Sequence, residues 1–407
     1  MKNNEKNINS IVKFIPENQI GSAGFHFGAK EKQYVLEVLD SHRLSYGPWS
    51  QKFEKIFAKE HSSNFSVFSN SGTSALHMGL AAMKEKYNWK DGDEVILPAL
   101  TFVATANIVL FNNMKPVFVD VDELTYNIDP TKIEAVITNK TRVILPVHLF
   151  GLPADMDPIL QIANKYNLRV LEDSAECMFA TYKGKKVGSF GDVGCFSTYI
   201  AHFLVTGVGG LAITNDKELE LIMRSFMNHG RDDAYLSIDD DKSLSKEDLA
   251  YVASKRFSFV RMGHSMRATE LEAAIGVAQF EDRVDNVKRR RAIAKYYSEG
   301  LSHLEKYMQL PTIPDDREHN FMMYPIVLKG QSKWELVNYL ESRNIETREM
   351  VPLTNQPVYK NRFHENFEKM FPIAKWINDN GFYIGSHPYL KKEETKYIVE
   401  TINDFFK

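Results

Sequence analysis

The sequence predicts an α/β protein: a mostly parallel, doubly wound sheet with helices on both faces, followed by a smaller C-terminal α+β unit. Three observations lead there. From Phe65 onward short apolar runs alternate with amphipathic stretches, the rhythm of strand–helix–strand units whose parallel strands are covered on both sides. Several of the strand-like runs end in polar or glycine-containing turns, where sheets of this kind bind ligands. Beyond a long helical pattern over 266–300 a second mixed segment begins, closing on a helix at 392–406.

Residues 1–28 begin with a polar, aperiodic stretch and read as a flexible N-terminal arm. Residues 29–60 carry helical periodicity, interrupted by Ser45-Tyr-Gly-Pro48, a turn by composition. Strands are expected at 66–69, 94–97, 116–119, 143–147, 169–171 and 210–213, with helical runs such as 74–87 and 158–166 between them. The charged stretch 237–256 reads as a surface insertion of loop and short helix. The expected division is a large domain over 29–285 and a small one over 286–407.

A chain of 407 residues is long enough for both cores. Its net charge of −3 supplies no basic field for nucleic acid, and the run Lys288-Arg-Arg-Arg291 reads as a solvated helix face. No stretch approaches the ~18 apolar residues of a membrane span, and the N-terminus lacks the apolar core of a secretory signal. Two cysteines, Cys177 and Cys195, fit a reducing cytoplasm. They cannot supply the four thiolates of an iron–sulfur cluster, and no metal-ligand spacing is present.

Four segments carry chemistry. Asn70-Ser-Gly-Thr-Ser-Ala75 lies between a strand and a helix, where Gly72 permits close backbone approach and Thr73 adds a hydroxyl. A helix start of this kind holds phosphate, although Ser-Gly-Thr is also a good N-cap on its own. Leu97-Pro-Ala-Leu-Thr-Phe-Val-Ala104 follows the next strand and brings Phe102, a ring-stacking candidate or a core residue. Glu172-Asp173 ends a further strand, where an acid either faces a ligand or orders a loop. The last is Cys195-Phe-Ser-Thr-Tyr-Ile-Ala-His-Phe-Leu-Val-Thr-Gly-Val-Gly-Gly210.

In combination these segments resemble the DegT-type sugar aminotransferases, pyridoxal-phosphate enzymes of fold type I. The resemblance spans roughly residues 26–405 and includes Gly92-Asp-Glu-Val-Ile96, Val147-His-Leu-Phe-Gly151 and Met266-Arg-Ala-Thr-Glu-Leu-Glu-Ala-Ala-Ile-Gly276. It implies that Phe102 lies against the cofactor ring, that Asp173 faces the pyridine nitrogen, and that Gly72, Thr73, Ser197 and the turn Thr206–Gly210 hold the phosphate. Glu176 stands where the family commonly has glutamine beside the cofactor hydroxyl, and Val208 where it usually has glutamate. Ser265 replaces an asparagine that reaches the neighbouring subunit's phosphate, a role Asn228 is a candidate to fill. A homodimer with shared active sites is implied in the same way.

The decisive departure is His202, at the position of the cofactor lysine. A lysine anchors pyridoxal phosphate covalently and moves protons; an imidazole keeps only the second ability. The expected cofactor is therefore pyridoxamine 5'-phosphate, interconverting with pyridoxal 5'-phosphate and held noncovalently. This resembles the histidine-for-lysine branch represented by GDP-4-keto-6-deoxy-D-mannose 3-dehydratase. It implies dehydration of a nucleotide-linked 4-keto-6-deoxyhexose in O-antigen or surface-polysaccharide biosynthesis, with His202 as base, Asp173 as its catalytic partner and L-glutamate regenerating the cofactor. Two alternatives stand beside it: amino transfer from L-glutamate to a keto or aldehydo sugar by the same residues, and a non-catalytic sugar or cofactor binder. His148 reads as a satisfied core histidine, while His264 and His387 sit in turn-like segments suited to substrate contact.

Overall fold

The computed structural model describes residues 14–232, 245–350 and 353–407. The apolar runs become strands β1 (Phe65–Ser69), β2 (Glu94–Pro98), β3 (Lys115–Val119), β4 (Thr141–Ile144) and β5 (Arg169–Asp173). A small hairpin, β6 (Thr181–Tyr182) and β7 (Lys185–Lys186), precedes β8 (Val193–Ser197) and β9 (Gly210–Thr214). Seven of them form one sheet in the order β1-β9-β8-β5-β4-β2-β3. Pairing from β3 to β8 is parallel, and only β9 runs against its neighbours. This is the large mixed α/β sheet that the alternating rhythm predicts. Pro116 is tolerated because β3 is an edge strand.

One central strand has no counterpart in the sequence reading. In β8, Val-Gly-Cys-Phe-Ser, Gly194 lowers strand propensity, yet a Cβ there would lie 2.1 Å from the carbonyl oxygen of Gly188. Close passage of the neighbouring backbone, rather than propensity, selects the residue.

Helices α1 (Ala29–Asp40), α2 (Pro48–Glu60), α3 (Gly72–Lys86), α4 (Val103–Phe111), α5 (Met156–Lys165) and α6 (Lys217–Met227) flank the sheet. Gly79 of α3 brings that helix close onto Leu171 of β5 and Val193 and Cys195 of β8. The charged insertion lies outside the described residues up to 244; its remainder is α7 (Lys246–Lys255), which buries Val252 alone. The helical pattern over 266–300 is two helices, α8 (Glu270–Glu281) and α9 (Arg283–Leu301), divided at Asp282 without glycine or proline. Thr269 and Glu272 form a capping box that fixes where α8 begins.

The smaller unit is a four-stranded antiparallel sheet in the order β10-β11-β13-β12, formed by β10 (Met308–Gln309), β11 (Met323–Leu328), β12 (Thr347–Glu349) and β13 (Gly381–Gly385). Its core joins Tyr297 and Leu301 of α9, Tyr324 and Ile326 of β11, and Ile398 of the last helix, Lys392–Phe405.

Two expectations need correction. The arm is not free along its described length: Ile20 is buried and forms a parallel bridge with Ile345, donating to Asn344 O at 2.7 Å and accepting from Glu346 N at 3.0 Å. Nor is Lys288–Arg291 solvated throughout: Lys288 and Arg289 are exposed, the other two are not. Arg290 is 2% exposed, and Arg291 donates to Asn320 Oδ1 and Glu318 Oε1. Cys177 and Cys195 are both buried free thiols. Among the described residues no helix is long and apolar enough to cross a membrane.

Candidate active site

The side-chain alternation of β5 separates two adjacent acids. Glu172 turns into the protein and accepts from the backbone N–H groups of Gly188, Phe190 and Gly191 at 2.6–2.7 Å. Its Oε2 also lies 3.1 Å from His148 Nε2, while His148 Nδ1 accepts from Ala154 N. That pair is a satisfied core element, as read for His148. Asp173 turns the other way, into a cavity. It accepts from Thr105 Oγ1 at 2.9 Å and from Ala175 N at 3.2 Å, and burial raises its pKa above the usual carboxylate value.

Opposite Asp173, the start of α3 meets the end of β8 and the start of β9. Ser71 caps the helix through Ser74 N, leaving the first turn at Gly72 and Thr73 directed at the cavity. Missing side chains let these segments pack closely. A Cβ on Gly72 would lie 2.7 Å from Ser197 Cβ, and one on Gly210 would lie 2.3 Å from Ser71 O and 2.5 Å from Gly72 N. With the Ser197 hydroxyl alongside, this cradle fits a phosphate monoester. Gly210→Ala is expected to weaken pyridoxamine-phosphate binding at least about tenfold, ~1.4 kcal/mol, in a fluorescence titration. Unchanged affinity would remove the cradle from the site.

His202 sits between β8 and β9 in a turn closed by its own N–H to Tyr199 O at 2.9 Å. The side chain is half-buried, and Nδ1 is sealed from solvent with no hydrogen-bond partner. Burial, then the positive charge of Arg290, push its pKa down to about 4, against a contact with the Ala175 backbone that acts upward. The ring is thus held in its neutral form across the physiological range. Glu176 is pushed the opposite way, up to about 7, by burial and by the charge of Asp173, against a hydrogen bond from Phe150 N.

These groups share one cavity of about 480 Å³, within the range of cofactor and ligand pockets. Gly72, Thr73, Phe102, Asp173, Glu176, Ser197 and His202 all line it. Phe102 is 65% exposed, so it is a presented ring and not a core residue. A larger groove of about 920 Å³ beside the last helix contains none of these groups.

Asn228 and Ser265 lie outside the lining. They bridge each other, and Arg267 donates to Asn228 Oδ1 at 3.0 Å and to Ser265 Oγ at 3.1 Å. His264 is also away from the cavity, its ring 5.2 Å from that of His77. His387 is buried with Gly24 pressed against its ring. The structure adds Ser22 and Ala23 from the arm, Thr105 from α4, Tyr199 and Tyr383 to the lining. Thr105 stands one turn beyond Thr101, its hydrogen-bonding neighbour at 2.9 Å; a second hydroxyl four residues on was the available signal.

An acid at a strand end, a phosphate cradle shaped by glycines, a presented ring and an imidazole with an unpartnered Nδ1 together fit a pyridoxal- or pyridoxamine-phosphate cofactor. A profile of the DegT/DnrJ/EryC1/StrS aminotransferase family matches residues 26–403. The chain belongs to that family. It is 35% identical over 398 residues to a GDP-perosamine synthase of Escherichia coli O157:H7, covering 97% of this chain and 99% of that protein. Its fold is similar to the aminotransferase from Psychrobacter cryohalolentis (30% identity, TM-score 0.84, 94% and 97% of the two chains). It is also similar to the E. coli GDP-4-keto-6-deoxy-D-mannose-3-dehydratase with bound hydrated PLP (27% identity, TM-score 0.82, 95% and 99%). As a member of this family the protein is an enzyme of the pyridoxal/pyridoxamine-phosphate class. Amine-transferring and dehydrating relatives share the fold, so the residues around the cofactor must decide the reaction.

Proposed function

We propose that the protein is a pyridoxamine-phosphate-dependent 3-dehydratase of a nucleotide-linked 4-keto-6-deoxyhexose, acting in deoxysugar biosynthesis for surface polysaccharide. The observation that carries this reading is a neutral imidazole, His202, at the position where the family tethers its cofactor. When bound, the cofactor would supply an amine reactive toward a ketone and an electron-withdrawing ring that makes a carbon-bound proton removable. Asp173 would keep the ring nitrogen protonated. The α3 start and Ser197 would hold the phosphate, and Phe102 would lie against the ring. Having no primary amine, His202 leaves the cofactor bound by these contacts alone. Its Nδ1 or Nε2 takes the proton and can return it to a hydroxyl departing from the adjacent carbon, giving water.

L-Glutamate as the amine donor that restores the cofactor belongs to the same reading. So does a homodimer with shared sites: the exposed side chains Phe102, Tyr199 and Val208 all border the cavity, a face suited to closure by a second copy.

A second reading, amino transfer to the keto sugar, is favoured by the 35% identity to GDP-perosamine synthase. The same residues would serve, the substrate hydroxyl being kept. Incubation with pyridoxamine phosphate, L-glutamate and GDP- or dTDP-4-keto-6-deoxyhexose, followed by mass spectrometry, separates the two. Loss of oxygen supports dehydration and gain of an amine supports transfer. Absence of either change across the nucleotide sugars tried would overturn both.

A further inference from the structure

Arg290 occupies an unusual position for a cation. It is 2% exposed on α9, and all its hydrogen bonds go to backbone carbonyls. Nη1 donates to Met322 O at 2.8 Å and Phe321 O at 3.4 Å, Nη2 donates to His202 O at 3.3 Å, and Nε has no partner. The guanidinium carbon lies 4.9 Å from the centre of the Phe203 ring. Burial lowers its pKa to about 10, and among the described residues no carboxylate forms an ion pair with it. A buried charge without an acidic partner is costly. A neutral side chain would fill the same space, so the charge itself calls for a role.

That role is suggested by what surrounds it. The guanidinium straps the His202 turn, between β8 and β9, to the segment leading into β11. We propose that Arg290 is the positioning residue of the site: it fixes the backbone that carries His202 against the segment leading into β11 and sets its positive charge on that turn. The inference rests on the reading of His202 as the proton-transferring base.

The groups facing His202 act in opposite senses. Asp173 and Glu176 from the end of β5 share its cavity and, when ionised, favour the imidazolium. Tyr199 in its own turn and Tyr383 on β13 line the same space, and Arg290 acts from beneath against protonation. Burial and then the same Arg290 charge push the His387 pKa down to about 4. The sign follows: His202 loses its capacity as base as pH falls through its pKa, so removing the positive charge must move that loss to higher pH.

The test uses full-length holoprotein carrying Arg290→Gln or Arg290→Lys, with the imidazoles labelled for NMR and the His202 resonance assigned by its absence in His202→Asn. Arg290→Gln is expected to raise the His202 titration midpoint, and the acid limb of the kcat/KM profile, by about one pH unit. Arg290→Lys keeps the charge and loses the forked strap, so its midpoint should stay near wild type while kcat falls. Arg290→Met, which keeps the aliphatic stem, gives the same measurement if glutamine does not fold at this buried position. A folded Gln or Met variant with a wild-type midpoint would overturn the proposal, even with turnover reduced, because a purely structural role changes rate and not the titration. If the midpoint moves while His202→Asn remains fully active, the base reading fails and the electrostatic coupling stands.

Discussion

His202→Asn should lower turnover by roughly 10²–10⁴-fold, the range for loss of a positioned acid–base group, while the affinity for pyridoxamine phosphate changes by less than about threefold, ~0.7 kcal/mol. Asparagine keeps a polar side chain of similar reach but cannot take up a proton. The groups proposed to hold the cofactor, the α3 start, Ser197 and Asp173, do not depend on the imidazole for their hydrogen bonds. Rate and affinity should therefore separate in one variant, read by product formation and by fluorescence titration. His202→Lys supplies the missing amine and is expected to develop a visible absorbance from covalently held pyridoxal phosphate. Undiminished turnover in the asparagine variant would remove His202 from the chemistry.

Much of the scaffold was legible because parallel strands buried on both faces are written as apolar runs. β2, Glu-Val-Ile-Leu-Pro, is buried along its whole length and is recognisable without context. β8 is not, since Gly194 answers to a neighbouring backbone that only the fold brings near. The reversal of β9 likewise leaves no mark on Gly-Leu-Ala-Ile-Thr, whose pairing direction is set by the turn before it. Of the site, the pieces that end strands were readable: Asp173, Ser197 and the turn at Gly72 each follow a buried run.

Arg290 was hidden by composition. Within Lys-Arg-Arg-Arg it looks like its neighbours, and Lys288 and Arg289 are indeed exposed. Helical phase distinguishes it: the buried residues of α9 are Arg290, Ala294, Tyr297 and Leu301, spaced by four, three and four along one stripe. A basic run read by phase would have placed one arginine on the core side. Asn228 and Ser265 show the converse difficulty. Their pairing with Arg267 arises from two turns far apart in sequence, for which residue types offer no local pattern.

Asp173→Asn should cost roughly 10²–10³-fold in kcat, as for other losses of a preorganised charge at a reacting centre, with no loss of thermal stability. The two effects have one cause. An amide cannot hold a proton on the ring nitrogen, so the cofactor binds but draws electrons poorly. The protein-side hydrogen bonds survive, since the amide oxygen accepts from Ala175 N and the amide N–H can donate to Thr105 Oγ1, which in turn can donate to Thr101 Oγ1. Stability follows from the direction of the carboxyl's pKa, which burial raises in the folded protein. A group raised in this way contributes most below its unfolded value, and the contribution is lost as pH rises through the folded one. As pH rises through that folded value, the cofactor-free protein ionises Asp173 at a cost that asparagine removes. Thermal melting of the cofactor-free proteins at pH 7 should find the variant equal to or above wild type, the exchange of stability for function expected at a catalytic acid. A variant that melts lower while retaining most of its turnover would mean that Asp173 serves the fold and not the cofactor.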